Sequence, residues 1–264
     1  MGEFTTIDDT DDPRLAPFRL NERGLASRAD KRDDAGAGLF LAEGDLVVER
    51  AFAAGCRPHL VLADAQRVPP IANELADAGA QVFVGGDAIR RLVTGLGMPH
   101  AIVTLFHRPA RPTAADLAER CARLVIVEGV DNPANVGAII RNAAALGWDG
   151  LLLDHTSADP LARRALRVAM GTAFTLPHAR TTDLVAAIRG LDGFELYALT
   201  PDADAVDIGD VCPHGRRALV VGSERAGLSD AVLAGTTPVR IPMGADVDSL
   251  NAAAATAVAC YALA

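Results

Sequence analysis

Polar residues with the potential for chemistry are concentrated in three short segments of the C-terminal half. In each segment they stand where a strand is expected to end in a loop or a helix, the position at which open α/β sheets bind ligands. We therefore predict one ligand site assembled from distant parts of the chain. The segments are Asn135-Val-Gly-Ala-Ile-Ile-Arg141, Gly222-Ser-Glu-Arg-Ala-Gly-Leu228, and Ile241-Pro-Met243 followed by Ser249-Leu-Asn251.

The first segment has the composition of an anion-binding helix start. Asn135 is a good N-cap residue, and Arg141 follows inside the same predicted helix, with a side chain long enough to reach back over the helix N-terminus. Free backbone amides, the helix dipole and a guanidinium would then converge on a phosphate or on an oxygen that develops negative charge. The alternative is an ordinary capped helix with a surface arginine.

The other two segments add a carboxylate and a helix start. Glu224 lies between Gly222 and Gly227, whose backbones can turn sharply. Its carboxylate could orient a ligand amine or a neighbouring arginine. The alternative is that Glu224 is a solvated charge on a loop. Ser249 is predicted to cap a helix whose first turn carries Asn251. Residues 252–255 are all alanine, which permits close packing of this helix but also reflects high helix propensity alone.

Several other chemistries lack their sequence motifs. The chain has no G-x-G-x-x-G, and its single lysine, Lys31, leaves no P-loop. No metal site is expected, because the histidines and the four scattered cysteines show no ligand spacing. Residues 227–231 come close to a nucleophile elbow, but Ala231 stands where glycine is needed, so Ser229 is predicted to cap the following helix.

An α/β architecture must position these residues. The continuous apolar run at 123–127 is typical of a buried parallel strand. The helix that follows this strand is expected to end at Gly147. Strands alternating with helices predict a parallel sheet covered on both faces. The further strands are predicted at 151–153, 174–176, 195–199, 218–221 and 239–241, with helices starting near 160, 182 and 229 and a last helix at 250–263.

The N-terminal half reads as a separate, smaller α/β domain. Residues 1–12 are rich in acidic residues and are predicted to be a disordered leader. A proline-containing stretch of low hydrophobicity at 107–113 indicates a boundary near residue 110, which gives domains at 13–110 and 111–264. The strands of the first domain are predicted at 39–42, 59–62, 81–84 and 101–106, with helices at 45–54, 71–78 and 87–93.

Composition restricts the class of protein further. The chain has 264 residues, half of them hydrophobic, which is ample for a buried core. It contains no apolar run long enough to span a bilayer and no apparent export signal, so a cytoplasmic protein without membrane association is expected.

Taken together, the three segments resemble the motifs of the SpoU-type (TrmH-type) RNA 2'-O-ribose methyltransferases of the SPOUT superfamily. The resemblance covers about residues 121–264 and is most specific at 124–141, with support from Asp159-Pro-Leu161 and Met170-Gly171. Residues 39–106 more loosely resemble the L30e-like RNA substrate-binding domain often attached to these enzymes, best at Phe40-Leu-Ala-Glu-Gly44.

The resemblance implies a fold, a cofactor and an assembly. The catalytic SPOUT domain would have a parallel sheet and a deep trefoil knot in which S-adenosyl-L-methionine binds, largely through backbone groups. The protein would be a homodimer in which Arg141 contributes to a site that both subunits help to form. By position, the cofactor-binding residues are Leu199, Thr200, Gly222, Glu224, Gly227, Ile241, Met243, Ser249 and Leu250.

The implied reaction is transfer of the sulfonium methyl group to a ribose 2'-hydroxyl of ribosomal or transfer RNA. Because arginine stays charged, we expect Arg141 to position the hydroxyl or the adjacent phosphate and to stabilise the developing alkoxide rather than to remove the proton. Asn135, Glu224, Ser249 and Asn251 would complete the catalytic site.

The net charge of −9 is unusual for a protein that contacts phosphates, so the RNA-binding surface has to be local. Two arginine-rich groups are candidates, although each is equally explained as a solvated helix face; DNA is not expected as a partner. These groups are Arg163, Arg164 and Arg167, and Arg19, Arg23, Arg28, Lys31 and Arg32.

Three alternatives remain at this level. An RNA base methyltransferase of the same fold would use the same cofactor site, and a non-catalytic RNA-binding assembly factor would keep only the fold. A dinucleotide-dependent oxidoreductase is disfavoured by the missing glycine fingerprint.

Overall fold

The computed structural model describes residues 4–26, 38–95, 98–244 and 247–264. The chain folds as two units, and the main boundary between them falls between Ala110 and Arg111, where the sequence places the domain boundary. The division differs from the prediction in one respect, since Leu161–Phe174 packs with the first unit although it lies within the second in sequence.

The first unit is built on a five-stranded sheet with strand order β1-β4-β3-β5-β2. Strands β1, β4 and β3 run parallel, whereas β5 is antiparallel to both β3 and β2. Its described elements are β1 (Thr5–Ile7), a 3-10 helix at Pro13–Arg19, α1 (Glu22–Leu25), β2 (Leu39–Glu43), α2 (Asp45–Ala53), β3 (Pro58–Asp64), α3 (Ile71–Asp77), β4 (Gln81–Gly85), α4 (Asp87–Thr94) and β5 (Ile102–His107).

The predicted disordered leader is wrong for its described part. Thr5–Ile7 is a strand that pairs in parallel with β4, and the side chain of Ile7 is buried in the core of the unit. Two threonines and an isoleucine favour an extended strand and fill an edge position, which outweighs the acidic residues around them. Asp12 is also ordered, because its carboxylate caps the 3-10 helix at Arg14.

In one of the two arginine-rich groups, two arginines pair with a buried carboxylate of this unit instead of forming a free surface. Arg163, on α7 (Arg163–Ala169), binds the buried carboxylate of Glu43 through Nε at 3.1 Å and through Nη2, and Arg167 lies 3.7 Å from the same carboxylate. Of this group, Arg164 alone is exposed, whereas Arg163 and Arg167 are half-buried. In the second group, Arg28, Lys31, Arg32 and the side chain of Arg23 lie outside the described residues.

The second unit is built on a seven-stranded sheet in which every strand pair is parallel, as predicted. Its strand order is β10-β12-β9-β11-β6-β7-β8, and its central strands are buried on both faces. Its described elements are α5 (Ala114–Arg120), β6 (Arg123–Glu128), α6 (Pro133–Ala145), β7 (Gly150–Asp154), β8 (His178–Thr181), α8 (Leu184–Arg189), β9 (Phe194–Leu199), β10 (Val206–Asp207), β11 (Arg216–Gly222), α9 (Asp230–Leu233), β12 (Thr237–Arg240) and α10 (Ala252–Ala262).

The strand predicted at 174–176 is wrong. Phe174 ends a short 3-10 helix, Thr172–Phe174, and its ring packs against Phe40 within the first unit, with ring centroids 5.5 Å apart. The next strand, β8, begins only after Pro177. The apolar residues that indicated a strand therefore reflect the packing of a helix end.

The last helix returns to an early helix of the second unit. Helix α10 packs along α6, where Asn142 donates to the carbonyl of Ala253 at 2.9 Å and the Trp148 indole donates to the carbonyl of Cys260 at 3.1 Å. This packing brings the N-terminus of α10 beside that of α6. Among the described residues, no helix is both long and apolar enough to cross a bilayer.

Candidate active site

Helix α6 begins earlier than the sequence predicts. Its N-cap is Asn132, whose side chain accepts from the amide of Ala134, rather than Asn135. Pro133 occupies the first helical position, where a missing N–H costs nothing and a fixed φ favours the helix. Asn135 is therefore inside the first turn and is buried, so its amide group is free to bond across the site.

Helix α10 begins later than the sequence predicts. Asn251, not Ser249, is the N-cap, and its Oδ1 accepts from the amides of Ala253 at 3.0 Å and Ala254 at 3.3 Å. Asparagine at this position satisfies two of the free helix amides. The cap fixes the orientation of the Asn251 side chain, so that Nδ2 points away from the helix.

Asn135, Glu224 and Asn251 form a closed hydrogen-bond network. Nδ2 of Asn251 donates to Oδ1 of Asn135 at 3.1 Å and to Oε1 of Glu224 at 2.8 Å, and Nδ2 of Asn135 donates to the same Glu224 oxygen. Both amides are thus committed, whereas Oε2 of Glu224 has no hydrogen-bond partner among the described residues. The network leaves one carboxylate oxygen available to a ligand.

A tight turn carries Glu224. Within it, the amide of Gly227 donates to the carbonyl of Ser223 at 3.0 Å, and the amide of Ala226 donates to the Ser223 hydroxyl at 3.1 Å. A Cβ at Gly222 would overlap the carbonyl group of Gly227 and lie 2.7 Å from the amide nitrogen of Leu228, and Gly227 has a φ of +67°. Both positions therefore require glycine for this turn to close.

The turn borders a cavity of about 400 Å³ at the carboxyl ends of β9 and β11. Its lining combines apolar side chains, exposed backbone groups and the Glu224 carboxylate, as is usual for small-molecule sites. All of the residues predicted to bind a cofactor line this one cavity, namely Leu199, Thr200, Gly222, Glu224, Gly227, Ile241, Met243, Ser249 and Leu250.

Arg141 is the predicted site residue that the structure does not bring to the network. It is exposed on α6, and its guanidinium has no hydrogen bond or ion pair with any described residue. It lies six positions after Asn135, which corresponds to about 240° around the helix and about 9 Å along its axis. The predicted anion site, with Asn135 and Arg141 converging at one helix start, is therefore not formed within one chain.

The sequence interpretation missed a buried carboxylate that shapes this edge of the sheet. Asp154, at the end of β7, accepts from the amide of Gly129 at 3.0 Å and from the amides and hydroxyls of Thr156 and Ser157. Burial alone would raise its pKa, but these donors outweigh burial and lower it. The acid thus ties the loop leading to α6 to the loop after β7.

The Asp154 loop reaches the network through Gly129. A Cβ at Gly129 would lie 3.7 Å from the Cβ of Ser223, so this loop lies against the turn that carries Glu224. The signal available in the sequence was Asp154-His-Thr-Ser157 directly after an apolar strand, a pattern typical of a carboxylate that caps its own loop. No cluster of residues suited to a metal ion occurs in the part of the chain that the structure describes.

Comparison with known proteins identifies relatives of the second unit and of the whole chain. Residues 122–261 match the sequence profile of the SpoU rRNA methylase family. An uncharacterised tRNA/rRNA methyltransferase of Mycobacterium tuberculosis is 36% identical over 262 residues, which cover 96% of this chain and 89% of that protein.

Two further relatives carry more specific names. The 23S rRNA guanosine 2'-O-methyltransferase RlmP of Bacillus subtilis is 28% identical over 237 residues, covering 88% of this chain and 91% of RlmP. Among solved structures, the SpoU methyltransferase AviRb of Streptomyces viridochromogenes, in complex with the cofactor AdoMet, matches with a TM-score of 0.76 and 26% identity, covering 95% of this chain and 96% of AviRb.

Proposed function

The chain belongs to the SpoU rRNA methylase family, and from this premise we propose that it transfers a methyl group from S-adenosyl-L-methionine to a ribose 2'-hydroxyl of ribosomal or transfer RNA. One observation carries the proposal. Residues from separate strand ends line a single cavity, and the Asn135–Glu224–Asn251 network stands beside it. The named activity of RlmP supports the 2'-hydroxyl as the acceptor.

The cavity fits the cofactor in size and chemistry. Leu199, Ile241, Met243 and Leu250 offer apolar walls for a purine ring, and the open backbone of the Gly222–Gly227 turn offers hydrogen-bond groups. Glu224 contributes a carboxylate to the cavity lining, and its negative charge would favour a ligand that carries a cationic sulfonium. When bound, S-adenosyl-L-methionine supplies a methyl group that is already electrophilic, so the protein has to align the acceptor and manage its proton.

The catalytic residues divide these tasks. Asn135 and Asn251 both donate to Oε1 of Glu224, which leaves Oε2 able to accept a hydrogen bond from a ligand. Ser249 lines the same cavity and has a hydroxyl to offer at its wall. Arg141 positions the acceptor hydroxyl or its neighbouring phosphate and stabilises the negative charge that develops on oxygen.

This role for Arg141 requires a second copy of the chain. The side chain makes no hydrogen bond with the network of its own chain. Arg141 lies on α6, which packs beside α10, and the outer face of α10 exposes Val258 and Tyr261, with 42% and 75% of their surfaces accessible. An exposed apolar face of this kind fits an isologous contact between two copies. In the homodimer, Arg141 of one subunit would complete the site of the other.

Three further features belong to the same proposal. The C-terminal segment runs from β12 past the cavity and back to α6, a path that fits the deep trefoil knot of the SPOUT fold. The first unit, with its mixed α/β sheet, would be the L30e-like domain that binds the RNA substrate. Because its proposed substrates are ribosomal or transfer RNA, we also propose that the protein is cytoplasmic.

Methyl transfer to RNA tests the proposal directly. Total rRNA and tRNA from cells that lack this protein would be incubated with it and with radiolabelled S-adenosyl-L-methionine. We expect label in nucleosides methylated on the ribose, identified after complete nuclease digestion, and we expect Asn135→Ala to lose the activity. Label on a base would instead establish the base methyltransferase alternative, and cofactor binding without any transfer would support a non-catalytic role.

A further inference from the structure

Arg225 is an unpaired cation at the edge of the cavity. It lines the cavity directly after Glu224, its side chain is exposed, and it makes no hydrogen bond or ion pair with any described residue. The neighbouring carboxylate does not neutralise it by direct contact, since Glu224 faces the amides of Asn135 and Asn251.

The turn fixes the position of the Arg225 backbone. Gly222, Ser223 and Gly227 close the base of the turn, with a bridge between Ser223 and Gly227 and the 3.0 Å hydrogen bond between them. Glu224 and Arg225 are consecutive residues at its tip. The backbone of Arg225 is therefore held beside the cavity, while its long side chain is free to meet a second ligand.

Three other arginines of the second unit are engaged in the structure, whereas Arg141 on α6 is not. Arg216 donates to the carbonyl of Cys121 at 2.8 Å, Arg180 donates to the carbonyl of Ser157 at 2.9 Å, and Arg240 lies 2.6 Å from Asp207. Arg189 resembles Arg225 in being exposed without a described partner, but it ends α8 and does not line the cavity.

We propose that Arg225 binds a phosphodiester of the RNA next to the acceptor ribose; this inference rests on the proposed function. The acceptor oxygen has to approach the cavity, and the phosphate attached to the adjacent 3'-oxygen necessarily comes with it. A guanidinium binds such a phosphate through two parallel hydrogen bonds. In a chain with a net charge of −9, a few well-placed cations have to supply this attraction.

The salt dependence of RNA binding tests this assignment. Binding of purified ribosomal RNA and, separately, of transfer RNA to wild type, Arg225→Ala, Arg225→Lys and the matched control Arg189→Ala would be measured by filter retention between about 50 and 200 mM salt. The slope of log K against log salt is negative, and loss of one phosphate contact lowers its magnitude by about 0.7 to 0.9. We expect this change and about tenfold weaker RNA binding in Arg225→Ala, recovery of the slope in Arg225→Lys, and wild-type behaviour in Arg189→Ala.

Cofactor affinity, measured by calorimetry with S-adenosyl-L-methionine alone, is expected to be unchanged in Arg225→Ala. A weaker cofactor affinity with an unaltered salt slope would overturn the proposal, because the guanidinium would then serve the cofactor. Neither the RNA-binding measurement nor the cofactor-binding measurement requires methyl transfer. Wild-type protein that binds RNA with an Arg225-dependent slope but transfers no methyl group would refute the proposed function alone, whereas an active Arg225→Ala variant with unchanged RNA affinity and slope would refute this inference alone.

Discussion

Asn251 donates a hydrogen bond to Asn135 at 3.1 Å, across 116 positions of the sequence. The same Asn251 side chain caps α10 through its oxygen, so the start of the last helix and the start of α6 are held in one arrangement. Any change in the packing of α10 on α6 would therefore be transmitted to Glu224, to which both amides donate. The residue that caps α10 is therefore also part of the hydrogen-bond network at the candidate active site.

Asn251→Asp separates these two roles. The new carboxylate still caps α10, but it places a second negative oxygen against Glu224 where the wild type has a donor. We expect little loss of stability and at least a tenfold lower kcat for methyl transfer, about 1.4 kcal/mol or more in the barrier. Asn251→Ser is the matched control, since it keeps a cap without the added charge. A kcat for Asn251→Asp above that of Asn251→Ser would contradict the role given to the network.

Glu224→Gln tests the free carboxylate oxygen. Glutamine can keep its oxygen toward Asn135 and Asn251, and it then presents an NH₂ group where Oε2 stood. We expect the variant to fold with wild-type stability and to lose at least tenfold in kcat/KM, because an acceptor toward the ligand has become a donor. Thermal unfolding and steady-state methylation check both parts. Full activity would remove Oε2 of Glu224 from the mechanism.

Convergence of the three segments was predictable, because carboxyl ends of parallel strands meet at one edge of a sheet. The local helix starts were not. Asn132 competes with Asn135 for the cap of α6 and wins because proline follows it, and Asn251 takes the cap of α10 in place of Ser249. Short polar side chains at nearby positions look alike in a sequence, and tertiary packing selects among them.

Two other differences have a common physical origin. The strand Thr5–Ile7 is stabilised by β4, whose residues lie far along the chain, and Phe174 packs against Phe40 instead of entering a strand. Of the donors to Asp154, Thr156 and Ser157 are local and could be predicted from the sequence, whereas Gly129 comes from a loop 25 residues away and could not. Local composition cannot reveal partners that are distant in sequence, so acidic flanks and short apolar runs were misleading.

Asp154→Asn is expected to lower the free energy of unfolding by about 2 kcal/mol at neutral pH, because an amide cannot accept all the donors that surround the carboxylate. The pKa of Asp154 is lowered from 3.8 in the folded protein, so its stabilising contribution is complete above that value and is lost as the pH falls through the folded pKa. Urea unfolding of both proteins over a pH series would check this. A difference that stays constant well below pH 3.8 would contradict it.

His178 provides a second test of pH-dependent stability, in which the buried group is uncharged rather than charged. Burial first, and then Arg111, lower its pKa from 6.5 to about 4, and its Nε2 has no hydrogen-bond partner among the described residues. The unfolded chain binds this proton at a higher pH than the folded one, so stability falls as the pH drops from 6.5 toward 4, by roughly 3 kcal/mol.

His178→Leu is therefore expected to flatten the pH dependence of unfolding over this interval, whatever its effect at neutral pH. His155→Leu, which replaces an exposed imidazole on the loop after β7, is the matched control and should keep the wild-type profile. Chemical unfolding of the three proteins from about pH 7 to 4 supplies the measurement. An unchanged slope in His178→Leu would show that another group controls acid stability.

Mixing two inactive variants tests whether Arg141 acts across a dimer. In a mixed dimer of Asn135→Ala and Arg141→Ala subunits, one site combines an intact Asn135 with the partner's intact arginine, and the other site carries both defects. If Arg141 acts on the site of the second copy, co-refolded equal mixtures should regain about a quarter of wild-type methylation, since about half of the dimers are mixed and one site in each is intact. If Arg141 acts within its own chain, every site in the mixture carries a defect and the activity stays at the level of the separate variants. Size-exclusion chromatography with light scattering establishes that the refolded species are dimers, and Tyr261→Lys, which places a charge on the exposed face of α10, should abolish both the dimer and the recovered activity.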